Sequence, residues 1–273
     1  ATVPELPEVE TTRRGLAPLL AGHTIRQLLV HHPRLRWPIE ASLPARVRGQ
    51  RIHAVERRAK YLLLKLDRGT LIFHLGMSGS LRVLPEATPR LTHDHVELLL
   101  DDGHTLRLND PRRFGCCLYT SEDPSTHPLL RALAPEPFDS DFTPDYLYRI
   151  TRARRVAIKL LLMNGRLVTG VGNIYASEAL FRAGIRPGRA ARSLTHAEIQ
   201  RLWRSIRTVL RMAIRAGGTT LRDYVNPSGT PGYFRQKLYV YERADEPCRC
   251  CGTPIRMLVH GQRSTYYCPS CQR

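Results

Sequence analysis

Four cysteines near the C-terminus constrain the fold of this chain more than any other feature. Cys248 and Cys251 form one C-x2-C pair, and Cys268 and Cys271 form a second pair after sixteen intervening residues. Each pair fits a tight turn, so the four thiolates can converge on one tetrahedral Zn²⁺. The sequence therefore predicts one structural zinc ion with four cysteine ligands and no open coordination position for catalysis.

The residues between the two cysteine pairs are predicted to form a β-hairpin. Strands are expected at 255–259 and 264–267, and Gly261-Gln262 between them is typical of a hairpin tip. A module this small buries little apolar surface, so metal binding is expected to supply most of its folding free energy, about 10 kcal/mol or more. Three other cysteines are not predicted to bind metal: Cys116, Cys117 and Cys250.

The charge balance indicates a polyanionic partner. Forty-two Lys and Arg stand against 24 Asp and Glu, which gives a formal net charge of +18. Nucleic acid is favoured because neutralising phosphates releases counterions, although a solvated basic surface or an anionic membrane would fit the same balance. No stretch approaches the roughly 18 apolar residues of a membrane span, and the first residues lack the apolar core of a signal peptide. A cytoplasmic protein without membrane contact is expected.

The order of sequence patterns predicts an α+β chain. One helix at 7–20 leads into short apolar or alternating segments and turn signals up to residue 119, typical of an antiparallel sandwich or barrel. A proline-rich linker at 124–144 follows, and helical periodicity begins after it. Helices are predicted at 147–163, 174–183 and 196–216, the last with Ser193 or Thr195 as its N-cap.

Seven motifs, in order along the chain and ahead of the zinc hairpin, are similar to the motifs of one family. They are Pro4-Glu5-Leu6-Pro7-Glu8-Val9-Glu10, the segment 57–61 around Lys60, and the segments 74–79, 93–95, 110–115, 170–178 and 217–221. On these motifs the chain resembles the formamidopyrimidine-DNA glycosylase family from residue 4 to residue 273, with no large gap.

The resemblance implies both a fold and a function. The fold is an N-terminal β-sandwich, then a helix–two-turn–helix domain that ends in a zinc finger, with domain boundaries predicted at 1–138, 139–238 and 239–273. The function is that of a bacterial base-excision repair enzyme, a monomer associated with the nucleoid through its DNA substrate. It would excise 8-oxoguanine and formamidopyrimidines from damaged double-stranded DNA and then cleave the abasic site.

The resemblance also implies four catalytic residues. The nitrogen of Pro4 would attack C1′ of the damaged nucleotide, and Glu5 would protonate the opening sugar oxygen. Lys60 would donate a proton in β-elimination, and Arg263 would do so in δ-elimination. Each of the first three has a structural alternative: a proline at the start of a helix, an acid at the positive end of a helix dipole, and a surface lysine.

A second set of residues is implied to hold the DNA. Met77, Arg112 and Phe114 would fill the space left by the extruded nucleotide, and Arg112 would bond the orphaned cytosine. For Met77 and Phe114 the alternative is ordinary core packing. Candidate phosphate ligands are His93, Arg155, Lys159 and Asn173, and the segment 219–233 is predicted to close over the flipped base.

The chain departs from the family pattern at its first residues. Residues 1–3 precede Pro4, and with them in place the Pro4 nitrogen is an amide whose lone pair is delocalised. Our hypothesis is that Val3 marks a GTG start codon read literally, so that the working enzyme begins at Pro4. N-terminal trimming, an inactive variant, or attack by the Ala1 amine are the alternatives.

Two other functions compete with this interpretation. An enzyme of the endonuclease VIII type would prefer oxidised pyrimidines, whereas Met77 and the segment 110–115 favour the purine-specific branch. If residues 1–3 block the Pro4 nitrogen, the chain would instead be a non-catalytic damage-binding or architectural protein. The presence of Glu5, Lys60 and Arg263 favours an enzyme.

Overall fold

The computed structural model describes residues 4–218 and 234–273, which form two units. The first unit includes residues 4–131 with 217–218, and the second includes 132–216 with 234–273. Residues 1–3 and the predicted closing segment 219–233 lie outside the described residues. The three-domain division with boundaries after 138 and 238 stays a prediction.

Its described residues give the first unit two α-helices and eight strands. They are α1 (Leu6–Leu20), β1 (Ile25–Val30), α2 (Leu43–Val47), β2 (Ile52–Arg58), β3 (Tyr61–Leu66), β4 (Thr70–His74), β5 (Ser80–Pro85), β6 (Asp94–Leu100), β7 (His104–Asn109) and β8 (Cys116–Thr120). Every residue of β6 is buried, and most of β3 and β4 is apolar and buried. Such runs fit strands that bury both faces.

The eight strands form two antiparallel four-stranded sheets. One has the order β1-β6-β7-β5 and the other the order β2-β3-β4-β8. The predicted leading helix and β-sandwich are confirmed. Cys116 and Cys117 on β8 are buried, and burial raises the pKa of the Cys116 thiol to about 12, so these two cysteines are core residues.

The second unit is helical and ends in a hairpin. Its elements are α3 (Pro144–Thr151), α4 (Ile158–Leu162), α5 (Asn173–Ala183), α6 (His196–Arg215), β9 (Arg256–His260) and β10 (Arg263–Tyr267). Thr195 is the N-cap of α6, with Glu198 completing a capping box. Among the described helices, none is long and apolar enough to cross a membrane.

The single helix predicted at 147–163 is wrong, because the chain breaks between α3 and α4. The backbone from Arg154 to Ile158 instead bonds a distant segment: Ala191 N–H donates to the carbonyl of Val156 at 2.9 Å, and Ile158 N–H donates to that of Arg189 at 2.8 Å. No Gly or Pro marks this break. Hydrogen bonds to a segment about thirty residues away therefore override the local helical periodicity.

Candidate active site and zinc centre

Pro4 and Glu5 stand at the start of α1, and both are buried. Glu5 is the N-cap residue, and its backbone N–H donates to the Glu8 carboxylate at 3.0 Å within a capping box. This arrangement satisfies amides that the first turn of a helix leaves without partners. The structure thus gives Glu5 a capping role, and its predicted role as an acid stays a prediction.

Lys60 lies in the tight turn between β2 and β3, next to Ala59 with its positive φ of 53°. Arg57 fixes this turn, since its guanidinium donates to the Ala59 carbonyl at 3.0 Å and to the Glu10 carboxylate at 3.1 Å. Burial raises the pKa of Glu10, but hydrogen bonds from Arg13 and two further arginines outweigh it and lower that pKa to about 2. A charged Glu10 on α1 therefore holds the turn that carries Lys60.

His74, at the end of β4, is kept neutral by its surroundings. Burial, and then the charges of Lys60 and Arg36, lower the pKa of His74 to about 4. Its Nδ1 accepts the backbone N–H of Gly76 at 2.9 Å, so this nitrogen must carry no proton. A neutral imidazole thereby fixes the loop that contains Met77.

The stability of the protein is expected to fall as the pH drops from about 6.5 to about 4. In this window an unfolded chain protonates His74 while the folded chain does not, so protons favour unfolding. The depression corresponds to about 3 kcal/mol in the free energy of unfolding. Urea unfolding at a series of pH values should show a shallower fall for His74→Asn, whose amide oxygen can replace Nδ1 as acceptor. An identical slope in that variant would contradict the assignment.

Asp110 holds two loops of the first unit together. Its buried carboxylate accepts from the Ser78 hydroxyl at 3.0 Å, from the Arg113 amide at 3.2 Å and from the Gly115 amide at 2.8 Å. Arg113 has a positive φ of 59°, an unfavourable conformation for a residue with a side chain. The carboxylate thus stabilises a strained loop. Asp110 opens the motif 110–115, but its neighbours along the chain do not indicate this role.

Gly76 is required where these two loops meet. Its φ is +59°, and a Cβ atom there would lie 2.5 Å from the backbone of Phe114 and of Gly115. Only a residue without a side chain permits this approach.

The paired loops bring together four residues that were predicted to contact DNA. Arg112 and His93 are exposed, Met77 is half-buried, and Phe114 is 44% exposed with the Arg112 guanidinium 5.5 Å from its ring centre. The carbonyl of His93 accepts the Asp110 amide at 3.0 Å, which ties it to the same loop. Core packing, the alternative for Phe114, does not describe a ring exposed to this extent.

In the second unit, Lys159 and Asn173 converge on the zinc hairpin. Lys159 on α4 is fully buried, and its Nζ donates to Thr265 Oγ1 at 2.6 Å and to the Ser264 carbonyl at 3.3 Å. Asn173, the first residue of α5, donates to the same carbonyl at 2.9 Å. Both side chains thus bond the strand directly after the half-buried Arg263. Their predicted role as phosphate ligands stays a prediction.

Arg155 is separate from this cluster. It is exposed in the segment between α3 and α4, and its predicted phosphate contact is likewise untested.

Glu178 anchors the segment that leads into the zinc module. Its buried carboxylate accepts the backbone amides of Tyr239, Val240 and Tyr241 at 2.6, 2.9 and 3.0 Å. Burial raises its pKa against the opposing effect of these bonds. The motif 170–178 ends on this residue, and a carboxylate among apolar helix positions is the sequence signal for such a buried anchor.

The four cysteines form a site that fits one zinc ion. Cys248 Sγ lies 3.9 Å from Cys271 Sγ, and Cys251 Sγ lies 3.5 Å from Cys268 Sγ, with all four sulfurs within 4.8 Å of one another. Tetrahedral Zn–S bonds of about 2.3 Å require sulfurs about 3.8 Å apart. The donor set and spacing therefore confirm the predicted cofactor, a structural zinc ion. Cys250 is exposed and outside this cluster.

Family models match most of the chain in three consecutive segments. Residues 3–117 match the N-terminal domain of formamidopyrimidine-DNA glycosylase, and residues 133–225 match the H2TH domain of the same enzyme. Residues 245–273 match the zinc finger found in FPG and IleRS.

Known proteins resemble the chain over its full length. Formamidopyrimidine-DNA glycosylases of Thioalkalivibrio sulfidiphilus and Methylococcus capsulatus are each 56% identical over 271 residues, which is 99% of this chain and 100% of theirs. The structure of the MutM (Fpg) protein of Thermus thermophilus is 43% identical with a TM-score of 0.89, covering 98% of both chains. The Lactococcus lactis Fpg, in complex with DNA containing an abasic site, is 33% identical with a TM-score of 0.91, covering 98% of this chain and 99% of that one. This chain belongs to the formamidopyrimidine-DNA glycosylase family, whose members are bifunctional DNA glycosylases and AP lyases.

Proposed function

We propose that this protein excises oxidised purines, 8-oxoguanine and formamidopyrimidines, from double-stranded DNA and then cleaves the strand at the abasic site. The observation that carries the proposal is the loop braced by Asp110, which exposes Phe114 and Arg112 together. Strained backbone is typical of functional sites, so an exposed aromatic ring on a strained but firmly bonded loop suits insertion into a partner. A base stack with one nucleotide extruded offers such a partner.

The proposed chemistry begins at the nitrogen of Pro4. As a free secondary amine it would attack C1′, the bond from C1′ to the damaged base would break, and an iminium would link Pro4 to the opened sugar. Glu5 would protonate the sugar ring oxygen as the bond from C1′ to that oxygen breaks, and the proline nitrogen would lose its proton as the C=N bond of the iminium forms. Loss of a C2′ proton would then expel the 3′ phosphate, with Lys60 as proton donor. Loss of the C4′ proton would expel the 5′ phosphate, with Arg263 as donor.

The proposed DNA contacts are of two kinds, to bases and to phosphates. Met77 and Phe114 would pack against exposed base faces, and Arg112 would donate hydrogen bonds to the cytosine opposite the lesion. Contacts to phosphates would come from His93, Arg155, Lys159 and Asn173. Asn173, the first residue of α5, suits phosphate binding because backbone amides at the start of a helix attract anions.

We propose that the enzyme works as a monomer on damaged duplex DNA, in the bacterial cytoplasm and associated with the nucleoid through its substrate. The net charge of +18 supports this partner, since phosphate neutralisation drives such binding. We also propose the predicted division into a catalytic sandwich, a helix–two-turn–helix domain and a zinc finger.

Oxidised pyrimidines are the second candidate substrate. The Lactococcus lactis Fpg has been solved in complex with DNA containing an oxidised pyrimidine, and it is 34% identical to this chain. The two substrate classes are separated by comparing single-turnover excision rates on otherwise identical duplexes.

Excision from a duplex with 8-oxoguanine opposite cytosine should exceed excision of an oxidised pyrimidine. Phe114→Ala should slow purine excision by about tenfold to a hundredfold, because base stacking is worth about 1–3 kcal/mol. Cleavage of a preformed abasic site in single-stranded DNA should change little, since no base needs replacing there. Leu19→Ala, which also removes an exposed apolar side chain from the first unit, is the matched control. Faster excision of the pyrimidine, or full activity of Phe114→Ala, would reject the proposal.

A further inference from the structure

The position of Arg263 is fixed by contacts on both sides of it. Before it, Gly261 and Gln262 form the hairpin tip with positive φ values of 54° and 65°. A Cβ atom at Gly261 would lie 3.0 Å from the Leu160 side chain, so the tip lies closely against α4. Arg263 is itself the first residue of β10, and two residues further along this strand Thr265 is fully buried.

Thr265 connects Arg263 to a buried charge. Its hydroxyl accepts from Lys159 Nζ at 2.6 Å and donates to the Arg263 carbonyl at 3.4 Å. A hydroxyl has one proton, so acceptance from the ammonium leaves that proton to point at the carbonyl. Lys159 also donates to the Ser264 carbonyl, which makes three consecutive residues of β10 part of one network.

A second element reinforces this network. Asn173 at the start of α5 donates to the Ser264 carbonyl at 2.9 Å, so α4 and α5 both hold the strand directly after Arg263. Hydrogen bonds from a charged donor are shorter and stronger than neutral ones, and in a buried setting their loss is costly. The network therefore resists displacement of the Arg263 backbone.

We propose that Thr265 is a positioning residue for δ-elimination: with Lys159 it holds the backbone of Arg263 so that the guanidinium is placed for the second strand-cleavage step. This inference rests on the role proposed above for Arg263. Thr265 itself touches no reacting atom in this account. Its contribution is the hydroxyl that links the Lys159 ammonium to the Arg263 carbonyl.

The test compares the two elimination products of a 5′-labelled strand. β-Elimination leaves a sugar remnant at the 3′ end, whereas δ-elimination leaves a phosphate, and a denaturing gel separates them. Thr265→Val keeps the shape but removes the hydroxyl, and it should lower the ratio of δ to β product about tenfold while base release changes little. Thr265→Ser should restore the ratio. Val259→Thr, on the exposed face of the same hairpin, is the matched control.

A second measurement separates positioning from folding and from the role of Arg263. Zinc content of each holoenzyme checks that the module is folded, and amide hydrogen exchange of residues 261–266 should accelerate in Thr265→Val alone. An unchanged product ratio in Thr265→Val would overturn the inference whatever the exchange rate, as would equal losses of base release and δ-elimination. If Arg263→Ala retains δ-elimination, the proposed role of Arg263 fails. Amide exchange then still decides whether Thr265 holds this strand.

Discussion

A chain that begins at Pro4 is expected to become covalently attached to a duplex with 8-oxoguanine opposite cytosine when borohydride is present. The same chain with residues 1–3 attached is expected to form on the order of a thousandfold less adduct. The physical reason is that a proline nitrogen within a peptide bond has a delocalised lone pair and cannot attack C1′. Borohydride reduces the iminium to a stable amine, so a denaturing gel reports the adduct directly.

Two controls make this trapping result decisive. Both chains should bind a non-cleavable damaged duplex equally, because the loop around Asp110 is the same in both. A Pro4-first chain with an acetylated N-terminus should lose the adduct. Equal adducts from both chains would show trimming or attack by the Ala1 amine. Tight binding without an adduct from either chain would leave a damage-binding protein.

Removal of zinc is expected to unfold the residues from about 245 to 273 and to abolish strand cleavage. The apolar cluster around the metal is small and consists of Phe181, Val240, Ile255 and two ligand cysteines, so apolar packing alone stabilises it little. Structural zinc sites contribute about 10 kcal/mol or more to folding. Loss of the hairpin would also remove Arg263 and the strand that Lys159 and Asn173 bond. Because these two residues are proposed phosphate ligands, DNA binding should fail, and both eliminations with it.

Cysteine variants give this prediction a matched comparison. Cys268→Ser removes a fully buried ligand and should yield protein without zinc and without nicking activity. Cys250→Ser changes an exposed cysteine outside the ligand cluster and should retain both. Metal analysis, circular dichroism and a nicking assay check these outcomes. Full activity in zinc-free protein, or zinc loss from Cys250→Ser, would contradict the assigned ligand set.

Several features of this protein were determined by the sequence itself. The zinc ligands could be predicted from the cysteine spacing, because a chain with two C-x2-C turns joined by a hairpin can form few structures other than a four-cysteine zinc site. Helix α1 and helix α6 follow from apolar periodicity, the sandwich architecture follows from short apolar segments between turn signals, and the tip at Gly261-Gln262 follows from turn chemistry. Each of these signals is local, since the residues that form the element are neighbours along the chain.

Only the tertiary structure decided the features that depend on distant partners. The helix predicted at 147–163 splits because its middle bonds residues 189–192. The carboxylate of Asp110 meets Ser78 across 32 positions, and Lys159 meets Thr265 across 106. A buried carboxylate or ammonium needs hydrogen-bond partners, but the residue alone does not indicate where along the chain those partners lie. Folding supplied them, and with them the placement of Arg112, Phe114 and Arg263.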